Sequence, residues 1–193
     1  IVCIQNGLGS EDVARNHVKC PVVRALTYIS SEMINPGQVK VVGMLPTYFE
    51  KKDQDIARLF DKAGLQTVVV NDLRQQIWKK LVFNCVINGL GTILGVSNNQ
   101  LDKPQLTDIK KSIVTECQSV AKLECINIDK NILDKINIFI KSSTNVNSTL
   151  QDLQRGKRTE VEYLNGAIVK LGKKHGIDTP VNKMILDLIQ YLE

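Results

Sequence analysis

Histidine is nearly absent from this 193-residue chain: there are two, His17 and His175, far apart and set among ordinary surface residues. A histidine-based metal site or a Ser-His-Asp triad has little to draw on, and both rings are expected to be solvated. Aromatic residues make up only 5% of the chain, and a net charge of +5 is carried by scattered short clusters of Lys and Arg. Without a basic stripe interleaved with aromatics, a nucleic-acid partner is not expected, and the cluster Arg155-Gly-Lys-Arg158 is the one candidate anion site. No run approaches the ~18 consecutive apolar residues of a membrane span, and no cleavable signal pattern is present. The five cysteines, Cys3, Cys20, Cys85, Cys117 and Cys125, are odd in number and lack C-x-x-C spacing. They argue against a disulfide framework or a zinc site and for reduced, buried thiols in a cytoplasmic protein.

What is present is ordinary globular material, 43% hydrophobic and 23% charged, enough for one large or two small domains. The chain opens on Ile1-Val-Cys-Ile4, a buried-strand pattern, and passes through Gln5-Asn-Gly-Leu-Gly9 into a polar helical stretch, 10–17. Since proteins seldom begin in a central strand, residues upstream are expected. Strands are predicted over 22–30 and 39–43 around the turn Asn35-Pro36-Gly37, then a helix over 53–63 stopped by Gly64 and a strand over 66–70. Near Asn71 the pattern changes to helical periodicity, with helices predicted over 73–90, 103–123, 130–140, 159–175 and 181–192. Thr159 and Glu162 form a candidate capping box, Gly176 a stop, and Thr179-Pro180 a break before the last helix. Segments 95–99 and 141–154 read as loops.

The richest feature is the run Ile77-Trp-Lys-Lys-Leu-Val-Phe-Asn-Cys-Val-Ile-Asn88. Lys80, Asn84 and Asn88 at i, i+4 and i+8 share one helix face and form a polar stripe roughly 12 Å long. Their neighbours are apolar all round, which marks a buried helix. Buried amides and ammonium groups without partners cost roughly 1–3 kcal/mol or more, so something polar faces this stripe: a bound small molecule, or a cap or loop of the protein itself. A second polar cluster runs from Ser148-Thr-Leu-Gln-Asp152 to Arg155-Gly-Lys-Arg-Thr-Glu160-Val-Glu-Tyr-Leu-Asn-Gly166. Helix capping alone would account for it.

Taken in order, Gln5-Asn-Gly-Leu-Gly9, Pro36-Gly37, Trp78 to Asn88, Asn98, Ser148 to Asp152, Gly156 to Gly166 and Gly176-Ile-x-Thr-Pro180-x-Asn182 resemble the successive signatures of the ketopantoate reductase (2-dehydropantoate 2-reductase) family. The resemblance covers nearly the whole chain. It implies α/β followed by all-α: the C-terminal part of an NADP-binding Rossmann-type sheet domain over 1–71, truncated, then a helical substrate and dimerisation domain over 72–193, similar to the C-terminal domain of 6-phosphogluconate dehydrogenase. It implies reduction of 2-dehydropantoate to pantoate with NADPH, for pantothenate and coenzyme A synthesis. Lys80 falls on the general acid, and Asn84, Asn88, Asn98, Ser148 and Glu160 on substrate-binding positions. Asn6 and Glu160 fall beside the cofactor, Glu160 also as the acid that orients the lysine, while Asp152 matches a structural acidic position.

The chemistry explains these residue types. Hydride arriving at a ketone carbon leaves charge on oxygen, which a positioned ammonium stabilises and protonates. Burial would lower the ordinary lysine pKa of ~10.4 and a nearby Glu160 raise it. Asn and Ser orient an anionic 2-oxo acid without adding charge.

Some positions depart from the family pattern: Gly89 and Gly91 stand where Pro and Thr or Ser are common, Thr149 where Met is, and Asn99 where Gly is. The two glycines are expected to loosen the stripe helix by roughly 0.5–1 kcal/mol each. No strand–G-x-G-x-x-G–helix unit occurs, so the polypeptide as given is expected to bind NADPH poorly and to lack activity. A homodimer is possible, with the apolar helix 109–123 as its surface. Two other readings remain open: a paralogous 2-oxo acid reductase, and a non-catalytic helical binding or dimerisation module.

Overall fold

The computed structural model describes residues 1–193, Glu32 by its backbone alone. The chain divides into two compact units, Ile1–Gln5 with Gly9–Gln76 and Asn6–Leu8 with Ile77–Glu193.

The first unit is α/β. Its elements are β1 (Val2–Cys3), α1 (Ser10–His17), β2 (Val23–Thr27), β3 (Ser30–Asn35), β4 (Gln38–Gly43), β5 (Thr47–Glu50), α2 (Gln54–Lys62) and β6 (Thr67–Val70). The sheet order is β1-β2-β5-β6, and β3 and β4 form a separate hairpin through the Pro36-Gly37 turn, where Gly37 has φ 79°. β1 and β2 are parallel, as are β5 and β6, but β2 and β5 run antiparallel, so the sheet is mixed. An antiparallel neighbour needs no helical crossover, and here the hairpin alone joins β2 to β5. The predicted strand 22–30 is interrupted after Thr27, whose hydroxyl accepts the Ile29 N–H at 3.1 Å and turns the chain. β5 was not anticipated: four residues with Thr47 and Phe49 inward are too few to display a period of two. Ala25, Phe49 and Ala57 form the core of this unit, with Phe49 and Phe60 in edge contact at 5.0 Å.

The second unit is helical: α3 (Leu73–Leu94, from Ile77 onward), α4 (Thr107–Leu123), α5 (Ile132–Ser142), α6 (Ser148–Gln154), α7 (Asn165–His175) and α8 (Pro180–Leu192). Short 3-10 turns occupy Asn98–Leu101, Pro104–Leu106 and Val161–Tyr163. Trp78, Leu81, Val82, Cys85 and Val86 of α3 meet Ile113, Cys117 and Val120 of α4, Ile136 and Ile140 of α5, and Ile185 and Ile189 of α8 in one aliphatic core. Trp78 is 1% exposed. Among the described residues no helix is long and apolar enough to cross a membrane.

Several expectations are corrected here. Segment 141–154 is not all loop, because Asn147 accepts the Leu150 N–H at 2.9 Å and caps α6. No capping box forms at Thr159: its N–H and hydroxyl both donate to Glu193, Glu162 accepts from Gln190, and α7 starts only at Asn165. The apolar face of α4 is buried inside this unit, so it is not available as a dimer surface. His175 is half-buried and paired rather than freely solvated: its Nε2 lies 2.6 Å from Glu124 Oε1, which also accepts from the Lys174 ammonium at 3.0 Å. All five cysteines are free, but Cys20 and Cys125 are exposed. Burial, assisted by Cys117, pushes the Cys85 thiol up.

Candidate functional site

The polar stripe lies on α3, with Asn88 buried and Lys80 and Asn84 half-buried. Asn88 donates from Nδ2 to Thr149 Oγ1 at 3.0 Å and to Ser148 Oγ at 3.3 Å. Ser148 donates to Glu160 Oε1 at 3.1 Å, and Asn6 donates from Nδ2 to the same oxygen at 3.0 Å. These bonds have a fixed sense. An ionised carboxylate only accepts, so the single Ser148 proton goes to Glu160 and Ser148 must accept from Asn88. The Asn88 amide therefore turns its nitrogen to the hydroxyls of α6, and its Oδ1 takes no hydrogen bond among the described residues. Asn84, one turn earlier, makes no side-chain hydrogen bond among the described residues.

Local structure explains how these groups come into register. Ser148 is the first residue of α6, and its position follows from the Asn147 cap. Asn147 is itself held by the buried Thr92 hydroxyl of α3, at 3.2 Å. A Cβ on Gly91 would stand 2.6 Å from Asn147 Nδ2, and one on Gly89 would stand 2.9 Å from Ile185 Cγ2. The two glycines thus admit the α6 cap and α8 against α3, which continues unbroken to Leu94. On another side Asn165 donates to the Cys85 carbonyl at 3.2 Å and to Asn182 at 2.9 Å. Glu116 in turn accepts the Val181 and Asn182 N–H groups, each at 2.9 Å.

Asn6 reaches Glu160 through a tightly seated loop. The Leu8 N–H donates to Tyr163 O at 3.0 Å, and Gly7, at φ 77°, lies so close that a Cβ would stand 2.2 Å from that oxygen. Only glycine fits there.

Of the residues singled out from sequence, Asn6, Asn88, Ser148 and Glu160 form one hydrogen-bonded chain, and Lys80 and Asn84 extend the face on which Asn88 stands. Asn98 is held elsewhere: Nδ2 donates to Ser143 Oγ at 3.0 Å, its N–H donates to Asn145 O at 2.9 Å, and Oδ1 is buried without a partner among the described residues. Thr92 and Asn147 were missed, and Thr149, noted in the sequence only as a departure from the family pattern, accepts from Asn88. Asn147 carried a readable signal, as a strong N-cap residue just before Ser-Thr-Leu.

Comparison with known proteins agrees along the whole chain. Residues 72–193 match the family model described as ketopantoate reductase PanE/ApbA C terminal, and residues 1–54 match that of ketopantoate reductase PanE/ApbA. A 2-dehydropantoate 2-reductase of Archaeoglobus fulgidus is 32% identical over 202 residues, covering 100% of this chain and 68% of the relative. One from Pyrococcus abyssi is 31% identical, covering 98% and 66%. Among solved structures, a PanE/ApbA family ketopantoate reductase from Ralstonia eutropha JMP134 superposes with a TM-score of 0.91 at 29% identity, over 99% of this chain and 65% of that one. A D-mandelate dehydrogenase bound to NADH and anilino(oxo)acetate superposes with a TM-score of 0.90 at 28% identity, over 99% and 66%. The chain thus spans about two thirds of the length of these relatives. On both sequence and fold it belongs to the ketopantoate reductase PanE/ApbA family.

Proposed function

We propose that this chain carries the substrate side of an NADPH-dependent reductase that converts 2-dehydropantoate to pantoate. Residues 1–71 would be the end of the cofactor domain and residues 72–193 the substrate domain. The observation that carries the reading is the polarised chain Asn88–Ser148–Glu160–Asn6 beside the Lys80-Asn84-Asn88 face. Such an arrangement supplies one cation, the uncommitted amide of Asn84 and the Asn88 Oδ1 acceptor, groups that suit a small hydroxylated 2-oxo acid.

In this reading Lys80 donates a proton to the ketone oxygen and stabilises the charge that develops there. Asn84 donates to the substrate carboxylate, Asn88 Oδ1 accepts a substrate hydroxyl, and Ser148 would join Asn84 on the carboxylate by turning its proton from Glu160 to the substrate. The nicotinamide cofactor supplies the hydride when bound. Of the residues present, Asn6 and Glu160 fit its nicotinamide end, since their mutual hydrogen bond leaves the Asn6 carbonyl oxygen as an acceptor for a carboxamide. No G-x-G-x-x-G turn for the pyrophosphate occurs among the 193 residues.

A second reading, reduction of another 2-oxo acid with NADH, is favoured by the likeness to the D-mandelate dehydrogenase structures and by Thr149, a small polar side chain beside Asn88. Oxidation of NADPH and NADH should be followed with ketopantoate and with aromatic 2-oxo acids, in a polypeptide extended to the length of the relatives. The first reading expects ketopantoate and NADPH to give the highest kcat/KM; preference for an aromatic 2-oxo acid would transfer the assignment to the second. Lys80→Ala should lower kcat by about 10²–10⁴-fold with the fold intact by circular dichroism. Turnover close to the parent's would reduce the stripe to packing.

A further inference from the structure

Away from that site, the helical unit carries a cleft of about 440 Å³ lined by Asp102, Lys103, Thr107, Lys110, Asn137 and Lys141. Its central feature is Lys110, whose side chain is charged yet only 3% exposed. The Lys110 ammonium donates to Leu101 O at 3.2 Å and to Asn137 Oδ1 at 2.9 Å, both neutral acceptors, and among the described residues it forms no ion pair with a carboxylate. Two of its three N–H groups are thereby used, leaving one. Because an ammonium only donates, Asn137 must present its oxygen to Lys110, so its Nδ2 hydrogens remain unused.

The rest of the lining has the same polarity. Thr107, the first residue of α4, lines the cleft with its hydroxyl, its own N–H being taken by the Pro104 carbonyl of the preceding 3-10 turn. Lys103 and Lys141 are exposed on its rim. Three ammonium groups against the single carboxylate of Asp102 leave two positive charges, matching a phosphate dianion. Burial also lowers the Lys110 pKa, Asp102 opposing and Lys141 reinforcing that direction, and an anion beside it would relieve the cost of keeping it charged.

We propose that this cleft binds a phosphate-class oxyanion, free or as a small phosphomonoester, with Lys110 and Asn137 at its floor and Lys103 and Lys141 at its mouth. The site is separate from the Lys80 face and does not depend on the reading given for it.

The test is titration of the protein with inorganic phosphate against chloride at constant ionic strength, by calorimetry and by amide chemical shifts. Saturable heat is expected, with shifts centred on Thr107 and Asn137. Lys110→Met keeps the buried stem and should weaken binding by about tenfold or more, as loss of one charge-assisted hydrogen bond implies. If that variant is unfolded, the exposed pair Lys103→Ala/Lys141→Ala serves instead and should weaken binding several-fold, more so at low salt. Glycerol 2-phosphate binding as well as inorganic phosphate would identify a phosphomonoester site, and phosphate alone a free-anion site. Non-saturable heats, or affinity unchanged in both variants, would overturn the proposal.

Discussion

The two units are stabilised in different ways. The sheet unit closes over Ala25, Phe49 and Ala57, while Met33, Ile34, Val39 and Val41 of its hairpin stand more than half exposed. The helical unit buries Trp78, Leu81, Ile113, Ile136, Ile140, Ile185 and Ile189 together and threads buried amides among them, Asn88, Asn98, Asn147, Asn165 and Asn182. Precise placement of polar side chains is found where packing is dense. Each of these amides has at least one fixed side-chain or backbone partner, which close-packed helices hold in place.

Core truncation should separate the units most strongly. Phe49→Ala and Trp78→Ala each remove a fully buried ring and should each cost about 3–5 kcal/mol. Hydrogen exchange should show Phe49→Ala deprotecting Thr47–Glu50 while Leu73–Leu94 stays protected from Ile77 onward, and the reverse for Trp78→Ala. Equal loss in both units from either variant would mean that they unfold as one.

Close approach comes next. Gly91→Ala places a methyl at 2.6 Å from Asn147 Nδ2 and should cost about 1–3 kcal/mol in urea unfolding. Gly95 lies at the end of α3 in open space at φ 66°, so Gly95→Ala meets backbone strain only and should cost no more than about 1–2 kcal/mol. If Gly95→Ala costs more than Gly91→Ala, the close packing against α6 is not what the glycine is for. Asn147→Ala removes the α6 cap and should cost about 0.5–2 kcal/mol. The same variant should also raise KM in the extended enzyme, since Ser148 is the residue the cap positions.

The smallest effect is electrostatic. Hydrogen bonds from His175 and Lys174 hold the Glu124 carboxyl below the usual carboxylate range. The unfolded chain therefore takes up this proton at higher pH than the folded one, so the stabilisation is present above the ordinary carboxylate pKa and is lost as pH falls through the folded value. Urea midpoints measured from pH 6 to pH 3 should fall more steeply for the parent than for Glu124→Gln. Parallel curves would show that the contact between α4 and α7 carries no linked proton.

Much of the architecture was legible because it rests on local signals. The change from strand to helix near Asn71, the polar α1, the stop at Gly176 and the Lys80-Asn84-Asn88 stripe all follow from periodicity, Gly and Pro. The errors occurred where a residue had two uses. Thr159 and Glu162 have the spacing of a capping box, but Glu193 and Gln190, distant in sequence, take their hydrogen bonds. The α4 stripe suggested an outer surface because periodicity identifies an apolar face without identifying what covers it.

By itself, then, the sequence determined which residues share a helix face and which types of group the site contains, since 3.6 residues per turn and side-chain chemistry are properties of the chain. Tertiary structure alone decided that Ser148 and Glu160 meet Asn88 and Asn6, that Asn98 turns instead to Ser143, and that Lys110 is buried at a cleft. Hydrogen bonds between residues 60 or 154 positions apart leave no trace in local periodicity, because only packing of the helices brings their partners within reach.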